Sequence, residues 1–324
     1  MSVIFLHIGS HKTGTSALQS AFAINAARLA EKDIIYPGAD ADARHGRITS
    51  GNGLRLASYL NRDLPFRFHH ENSLRVFDRV LAKATSKHVL YSSEFLEAFE
   101  AARLKEFLAH TASRGYEGKI VYFVRSIAGH AISSYSQAVK REQVAVSFAD
   151  YLKSKYRNPF RATIEHAEEA VGRHNVLLLN YDAVRKDLLL TFLRNALKIE
   201  PRDFQPPPTI NRSLTAAEIE VMCAVNAQLS DRRLTVQISN ALIYANPDAK
   251  TEFVITPEEL EILTELHAGD LHFINNRLSE PVSLCDPSIT RGERAKLTSA
   301  ELNSAVRKAL SLVPEAEARA ETGE

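Results

Sequence analysis

Residues 5–18 read FLHIGSHKTGTSAL, and they hold the most chemically suggestive spacing in the chain. An apolar run, Val3 to Ile8, enters a loop of small and polar residues that includes His11 and Lys12. A helix is expected to open at Gly14, with Thr15 and Ser16 in its first turn. The first N–H groups of a helix have no internal partners and the helix dipole favours negative charge there, so strand, loop and helix start together make an anion site. Glycines allow the main chain to approach a phosphate or sulfate closely. The lysine selects the anion. A Walker A loop places Lys directly after its second glycine. Here Gly9 and Gly14 have that spacing, but Thr15 follows, and Lys12 stands two residues before Gly14. The cation therefore moves from the helix start to the loop apex, where it would meet a bridging oxygen rather than a β/γ-phosphate pair.

A second segment, KIVYFVRSIAGHAISSYSQAVK at 119–140, adds two more groups. Ile120 to Val124 is rich in β-branched and aromatic residues and reads as a buried strand. Arg125 stands at its end, and Ser133 follows eight residues later on an expected helix, with Ser134 the adjacent alternative. A guanidinium fork with a neutral hydroxyl donor suits a phosphate dianion.

Together the two segments resemble the sulfotransferases that use 3′-phosphoadenosine 5′-phosphosulfate (PAPS), of the bacterial and carbohydrate type. That family's loop has Lys, one residue, then Gly-Thr-[ST], as Lys12-Thr13-Gly14-Thr15-Ser16 has here. Its later strand ends in Arg, and a Ser eight residues on joins the Arg at the donor's 3′-phosphate. The resemblance follows the order of elements over roughly residues 3–200 and is specific at 7–18 and 120–134. It implies PAPS as sulfuryl donor, held by His11, Lys12, Thr13, Gly14, Thr15, Ser16, Arg125 and Ser133, with PAP as product. Lys12 would stabilise the leaving oxygen, and no divalent metal is required.

The acceptor must lose a proton. Glu94 follows an expected strand and two serines, His88 to Ser93, and is the candidate base; a carboxylate can serve if partial burial raises its pKa. Glu94 could equally be a first-turn carboxylate of a following helix. His11, inside the loop, is a further candidate for contact with acceptor or sulfate. Arg44, His45, Arg47, Arg55, His69 and His70 lie in a charged stretch, 44–72, suited to an acidic or sugar-like acceptor or simply to solvent. Arg212, in Asn211-Arg212-Ser213, is a candidate by position alone.

Composition bounds the reading. The 324 residues are 45% hydrophobic with a formal net charge of +1, enough for a large core and without the basicity of a nucleic-acid or anionic-membrane binder. The two cysteines, Cys223 and Cys285, form no C-x-x-C pair, and the twelve histidines include no H-E-x-x-H, so neither a disulfide framework nor a zinc signature is present. The N-terminal apolar run is too short for a signal peptide or a membrane span and is used as a strand. A cytoplasmic bacterial protein is expected.

The elements that must position these groups alternate. Strands are expected at 3–8, 88–91, 120–124 and 176–180. Helices are expected near 14–31, 73–86, 100–113, 126–141, 147–156, 161–172 and 183–197, with 37–73 irregular. Repeated βα units predict an α/β fold with a parallel central sheet flanked by helices, like other P-loop nucleotide-binding folds, with a helical C-terminal extension. Gly9 to Thr13, Glu94, Arg125 and Asp182 all fall at the strands' C-terminal ends, where such sheets bind ligands. Beyond Pro206-Pro207-Pro208, capping boxes at Thr215/Glu218 and Thr298/Glu301 and a Thr256-Pro257 start mark further helices. The expected organisation is one domain over 1–313, with an α/β core to about 200, a helical part at about 205–313 and a disordered tail at 314–324.

Two other readings share the sequence. A P-loop kinase or NTPase needs a lysine where Thr15 stands, with an acid such as Asp182 or Glu94 to hold Mg²⁺. A catalytically silent PAP-binding protein needs only the binding groups.

Overall fold

In the computed structural model, residues 1–10, 12–38, 50–64, 70–207, 212–250 and 252–313 are described, the side chains of 70–73 excepted. The strands are β1 (Ser2–Ile8), β2 (Ile34–Ile35), β3 (His88–Ser93), β4 (Tyr116–Val124) and β5 (Val176–Asn180). All pair in parallel in the order β2-β3-β1-β4-β5, so the fold is α/β, as the alternating pattern predicts. The central stretches of the strands, Val3–Leu6, Val89–Tyr91, Ile120–Val124 and Leu177–Leu179, are apolar because both faces of the sheet are covered.

Two compact units make up the chain. The first comprises Met1–Arg125, Pro159–Ile210 and His272–Val282, and contains the whole sheet. On one face, Val3, Phe5, Val121 and Phe123 pack with Leu18, Ala21 and Phe22 of α1 (Thr15–Ile24), and with Phe192 and Leu193 of a π-helical turn, Phe192–Ala196. The alternate strand residues, Ile4, Leu6, Ile120 and Tyr122, are buried on the other face. There the Tyr122 ring meets Phe160, at the start of the helix Phe160–Val171.

The helix expected at 14–31 breaks at Asn25, and a second helix, α2, runs Ala26–Glu31. The Asn25 amide donates to Ala21 and Gln205 carbonyls and accepts from the Gln205 N–H, so the break staples residue 205 to the sheet's helix layer. The stretch expected to be irregular contains α3 (Leu54–Leu60), whose Leu56, Ala57 and Leu60 are buried, and α4 begins at His70 and runs to Ala84. Residues 39–49 and 65–69, with Arg44, His45, Arg47 and His69, lie outside the described residues, as do Asn211 and the tail 314–324.

The second unit comprises Ser126–Asn158, Asn211–Leu271 and Ser283–Glu324. Its core gathers Ile127, Ala131 and Tyr135 with Met222, Val225, Ile238, Leu263 and Val306. Both anticipated capping boxes are formed, at Thr215/Glu218 and Thr298/Glu301. No helix among the described residues is long and apolar enough to cross a membrane.

Candidate functional site

Strand order fixes where the site can form. Beyond β1 the chain moves to the β2-β3 side of the sheet, and beyond β4 it moves to β5 on the other side. The strand order therefore reverses between the C-terminal ends of β1 and β4, the place where open parallel sheets receive ligands. The loop 9–14 follows β1, and Arg125 follows β4. Ile8 pairs with Ser93 and with Tyr122, and Val124 pairs with Asn180, so Gly9, Glu94, Arg125 and Tyr181 all leave the sheet at this one edge.

The loop is held from within. The Ser10 carbonyl accepts from the Thr13 N–H at 3.3 Å, the Thr13 hydroxyl at 2.8 Å and the Thr15 hydroxyl at 3.3 Å. The Gly9 N–H donates to the Ser93 carbonyl at 3.0 Å, which ties the loop to β3. Lys12 and Gly14 both take left-handed backbone conformations, with φ of 62° and 74°. At Gly14 a side chain would be strained twice over, because a Cβ would also lie 2.3 Å from Leu188 Cδ2. The helix α1 starts with no side-chain cap and no acidic residue in its first turn. A helix start of this kind, with the exposed Lys12 beside it, could receive an anion.

The six loop residues named from the sequence divide in role. Thr13 is fully buried, and its N–H and hydroxyl both donate to the Ser10 carbonyl. The Thr15 hydroxyl is engaged in the same way. Lys12, Gly14 and Ser16 keep surface at the loop and helix start, and His11 lies outside the described residues.

Arg125 is firmly placed. Its Nη1 donates to the Lys12 carbonyl at 3.0 Å, its Nη2 lies 3.6 Å from Asp182 Oδ1, and its guanidinium sits 5.3 Å from the centre of the Tyr181 ring. Only 14% of the Arg125 side chain and 9% of the Asp182 side chain are exposed. Tyr181 and Asp182 open a short helical turn capped by Asn180, whose Oδ1 accepts from the N–H groups of Asp182 and Ala183. Arg125 closes the first unit. Ser133 belongs to the second, half-buried on the helix Ile127–Arg141, whose first turn is capped by Ser126.

Glu94 is half-buried and opens a 3-10 turn, Glu94–Ala98. Ser93 caps that turn by accepting from the Phe95 N–H, and its hydroxyl donates to the Ser50 carbonyl at 2.6 Å. The segment 50–53 is laid over the end of β3 by Asn52, which donates to Leu90 and Pro37 carbonyls and accepts from the Ser92 N–H.

Two supports escaped the sequence reading. Tyr122 is wholly buried, and its hydroxyl donates to Glu97 Oε1 at 2.5 Å; the Ser10 side chain also bonds to it. Burial and the neighbouring Glu97 charge hold the Tyr122 phenol well above its ordinary pKa, so it stays a donor. Ser10 is thus gripped through its side chain as well as its carbonyl. His7 interrupts the apolar run of β1. It meets Ser92 Oγ at 2.8 Å and is ringed edge-on by Phe22, Phe123 and Phe192. Burial lowers its pKa to about 3. Only its position in β1, immediately before Ile8 and the loop, could have drawn attention to it.

Arg212 is structural. Its five N–H groups go to the Asn246, Ser213 and Leu242 carbonyls and to both carboxylate oxygens of Glu218, the capping-box acid. Among the described residues, no three His, Cys, Asp or Glu side chains gather as a metal site would require.

No protein-family model matches the chain, and no curated protein matches it. Among solved structures, the crystal structure of a sulfotransferase from Alicyclobacillus acidocaldarius overlaps it with a TM-score of 0.43 at 15% identity, over 85% of this chain and 95% of that one.

Proposed function

We propose that the protein is a PAPS-dependent sulfotransferase, moving a sulfuryl group to a hydroxyl or amine of an acceptor such as a glycan or small molecule. The observation that carries this reading is the lysine at the loop apex, two residues before Gly14, with Arg125 bonded to that lysine's own carbonyl. PAPS, when bound, supplies the activated sulfuryl group and a nucleotide leaving group.

The first N–H groups of α1 and the Ser16 hydroxyl receive the 5′ anion. Lys12 offers its ammonium to the oxygen that becomes negative as the sulfuryl group departs, a preorganised charge of the kind that dominates such transfers. Arg125 reads the 3′-phosphate, the group that separates PAP and PAPS from ATP. Glu94 takes the acceptor's proton. Thr13, Thr15, Tyr122 and Glu97 hold Ser10, and so hold the loop still while charge moves.

The test is ligand-dependent stability. PAP at a hundred times its Kd should add about 2.7 kcal/mol of stability without metal, and ADP or ATP with Mg²⁺ far less. Equal stabilisation by ATP and Mg²⁺ would return the chain to the P-loop kinase reading.

A further inference from the structure

Asp182 stands beside the cation assigned to the ligand's second phosphate. Its Oδ1 is 3.6 Å from Arg125 Nη2, an ion-pair distance just beyond hydrogen-bond length. The guanidinium also donates through Nη1 to the Lys12 carbonyl, and its carbon lies 5.3 Å from the centre of the Tyr181 ring. The Asn180 cap fixes the Asp182 and Ala183 N–H groups, and with them the main chain from which the carboxylate projects. A phosphate dianion that binds Arg125 through short charged hydrogen bonds must do so next to a nearly buried carboxylate of the same sign.

From this arrangement we infer that Asp182 is an internal counter-ion that competes with the ligand's 3′-phosphate for Arg125. It neutralises the guanidinium while the subsite is empty, holds it in place, and weakens the hold on the 3′-phosphate so that the spent nucleotide can leave. The inference rests on the proposed sulfotransferase reading and adds to it a residue that lowers affinity for the nucleotide.

Calorimetry with a matched ligand pair tests it. PAP and adenosine 5′-phosphate differ only in the 3′-phosphate. Asp182→Asn keeps the shape and removes the charge, and should tighten PAP about 5-fold or more, the lower end of ordinary coupling free energies, with adenosine 5′-phosphate unchanged. Asp182→Ser, which also lacks the charge, should do the same and stands in if the Asn variant folds poorly. Weaker or unchanged PAP binding in the folded variants overturns the inference and makes Asp182 an orienting group. Equal tightening of both ligands also overturns it, because the effect would then not pass through the 3′-phosphate. If the wild-type chain ignores PAP, the proposed function falls and this inference with it; if it binds PAP and the variants do not tighten, this inference alone falls.

Discussion

The Arg125 guanidinium donates to the main-chain carbonyl of Lys12 at 3.0 Å, across 113 residues of sequence. Lys12 is one of the non-glycine residues with a left-handed backbone, a conformation that costs about 1–2 kcal/mol for an ordinary L-residue. The Arg125 bond offsets part of that cost and fixes the turn from which the lysine side chain projects. The cation assigned to one end of the nucleotide thereby holds the loop assigned to the other.

Replacing Arg125 should therefore damage two properties. Arg125→Ala removes a charged hydrogen bond to the 3′-phosphate, expected to cost PAP about 1.5–3 kcal/mol and adenosine 5′-phosphate much less. It also releases the Lys12 carbonyl, so turnover at saturating PAPS should fall as well, by up to about 10²-fold for a misplaced catalytic group. Arg125→Lys should rescue neither fully, since one ammonium cannot serve the carbonyl and the phosphate with a guanidinium's geometry. Calorimetry beside single-turnover transfer reads both effects. Equal weakening of the two nucleotides would make Arg125 purely structural.

Lys12 and Glu94 should separate by what they impair. Lys12→Ala acts on charge that develops in the transition state and should lower turnover more than PAP affinity. Glu94→Gln cannot take a proton and should lower transfer by about 10²–10⁴-fold while PAP binds as before. Full transfer activity in Glu94→Gln would remove the residue from the chemistry and turn attention to His11. Lost PAP binding in that variant would show instead that the Glu94 turn supports the loop, through Ser93 and its bond to Gly9.

Local patterns carried most of the legible structure. Four of the strands carry a central apolar run, and the sheet edge that gathers Gly9, Glu94, Arg125 and Asp182 follows from parallel βα order alone. Helix starts written in local pairs, Thr215 with Glu218 and Thr298 with Glu301, form as read. What depends on distant partners was not legible. Asn25 looks like an ordinary helix residue until Gln205 meets it. The helix Leu54–Leu60 hides behind Gly51 and Gly53, whose backbones lie against the end of β3. Arg212 looks like a ligand-binding arginine until Glu218 and three carbonyls absorb it. β2 is two residues long and has no periodicity to read. In the loop, the motif gives residue types, but only the fold shows that Thr13 and Thr15 turn inward onto Ser10.

Tyr122→Phe tests whether the buried support reaches the loop. The variant keeps the ring in its place against Phe160 and removes the bond to Glu97. A hydrogen bond to a charged group contributes about 1.5–3 kcal/mol, and urea unfolding should register that loss. PAP affinity should fall too, because Ser10 loses its side-chain anchor. Reduced stability with unchanged PAP affinity would confine the network to the core.

His7 should make the fold sensitive to acid. Its folded-state pKa, lowered to about 3 by burial, lies below the ordinary value of 6.5. The unfolded chain therefore takes up the proton first as pH falls. The His7 contribution to stability is complete above about pH 6.5 and is lost progressively between there and about pH 3. By pH 5 the loss from this residue alone should reach about 2 kcal/mol, from 1.36 kcal/mol per pH unit. The cause is local: a charged imidazole would sit among Phe22, Phe123 and Phe192, with Ser92 as its hydrogen-bond partner and none at Nε2. His7→Leu will change absolute stability for reasons of packing and the lost Ser92 contact, so the informative quantity is the slope. Urea unfolding of both proteins at pH 7.5 and pH 5 should show the wild type losing about 2 kcal/mol more than the variant across that interval. Parallel losses in the two proteins would mean that the imidazole finds water or a counter-charge when it is protonated, and that the acid sensitivity lies in other groups.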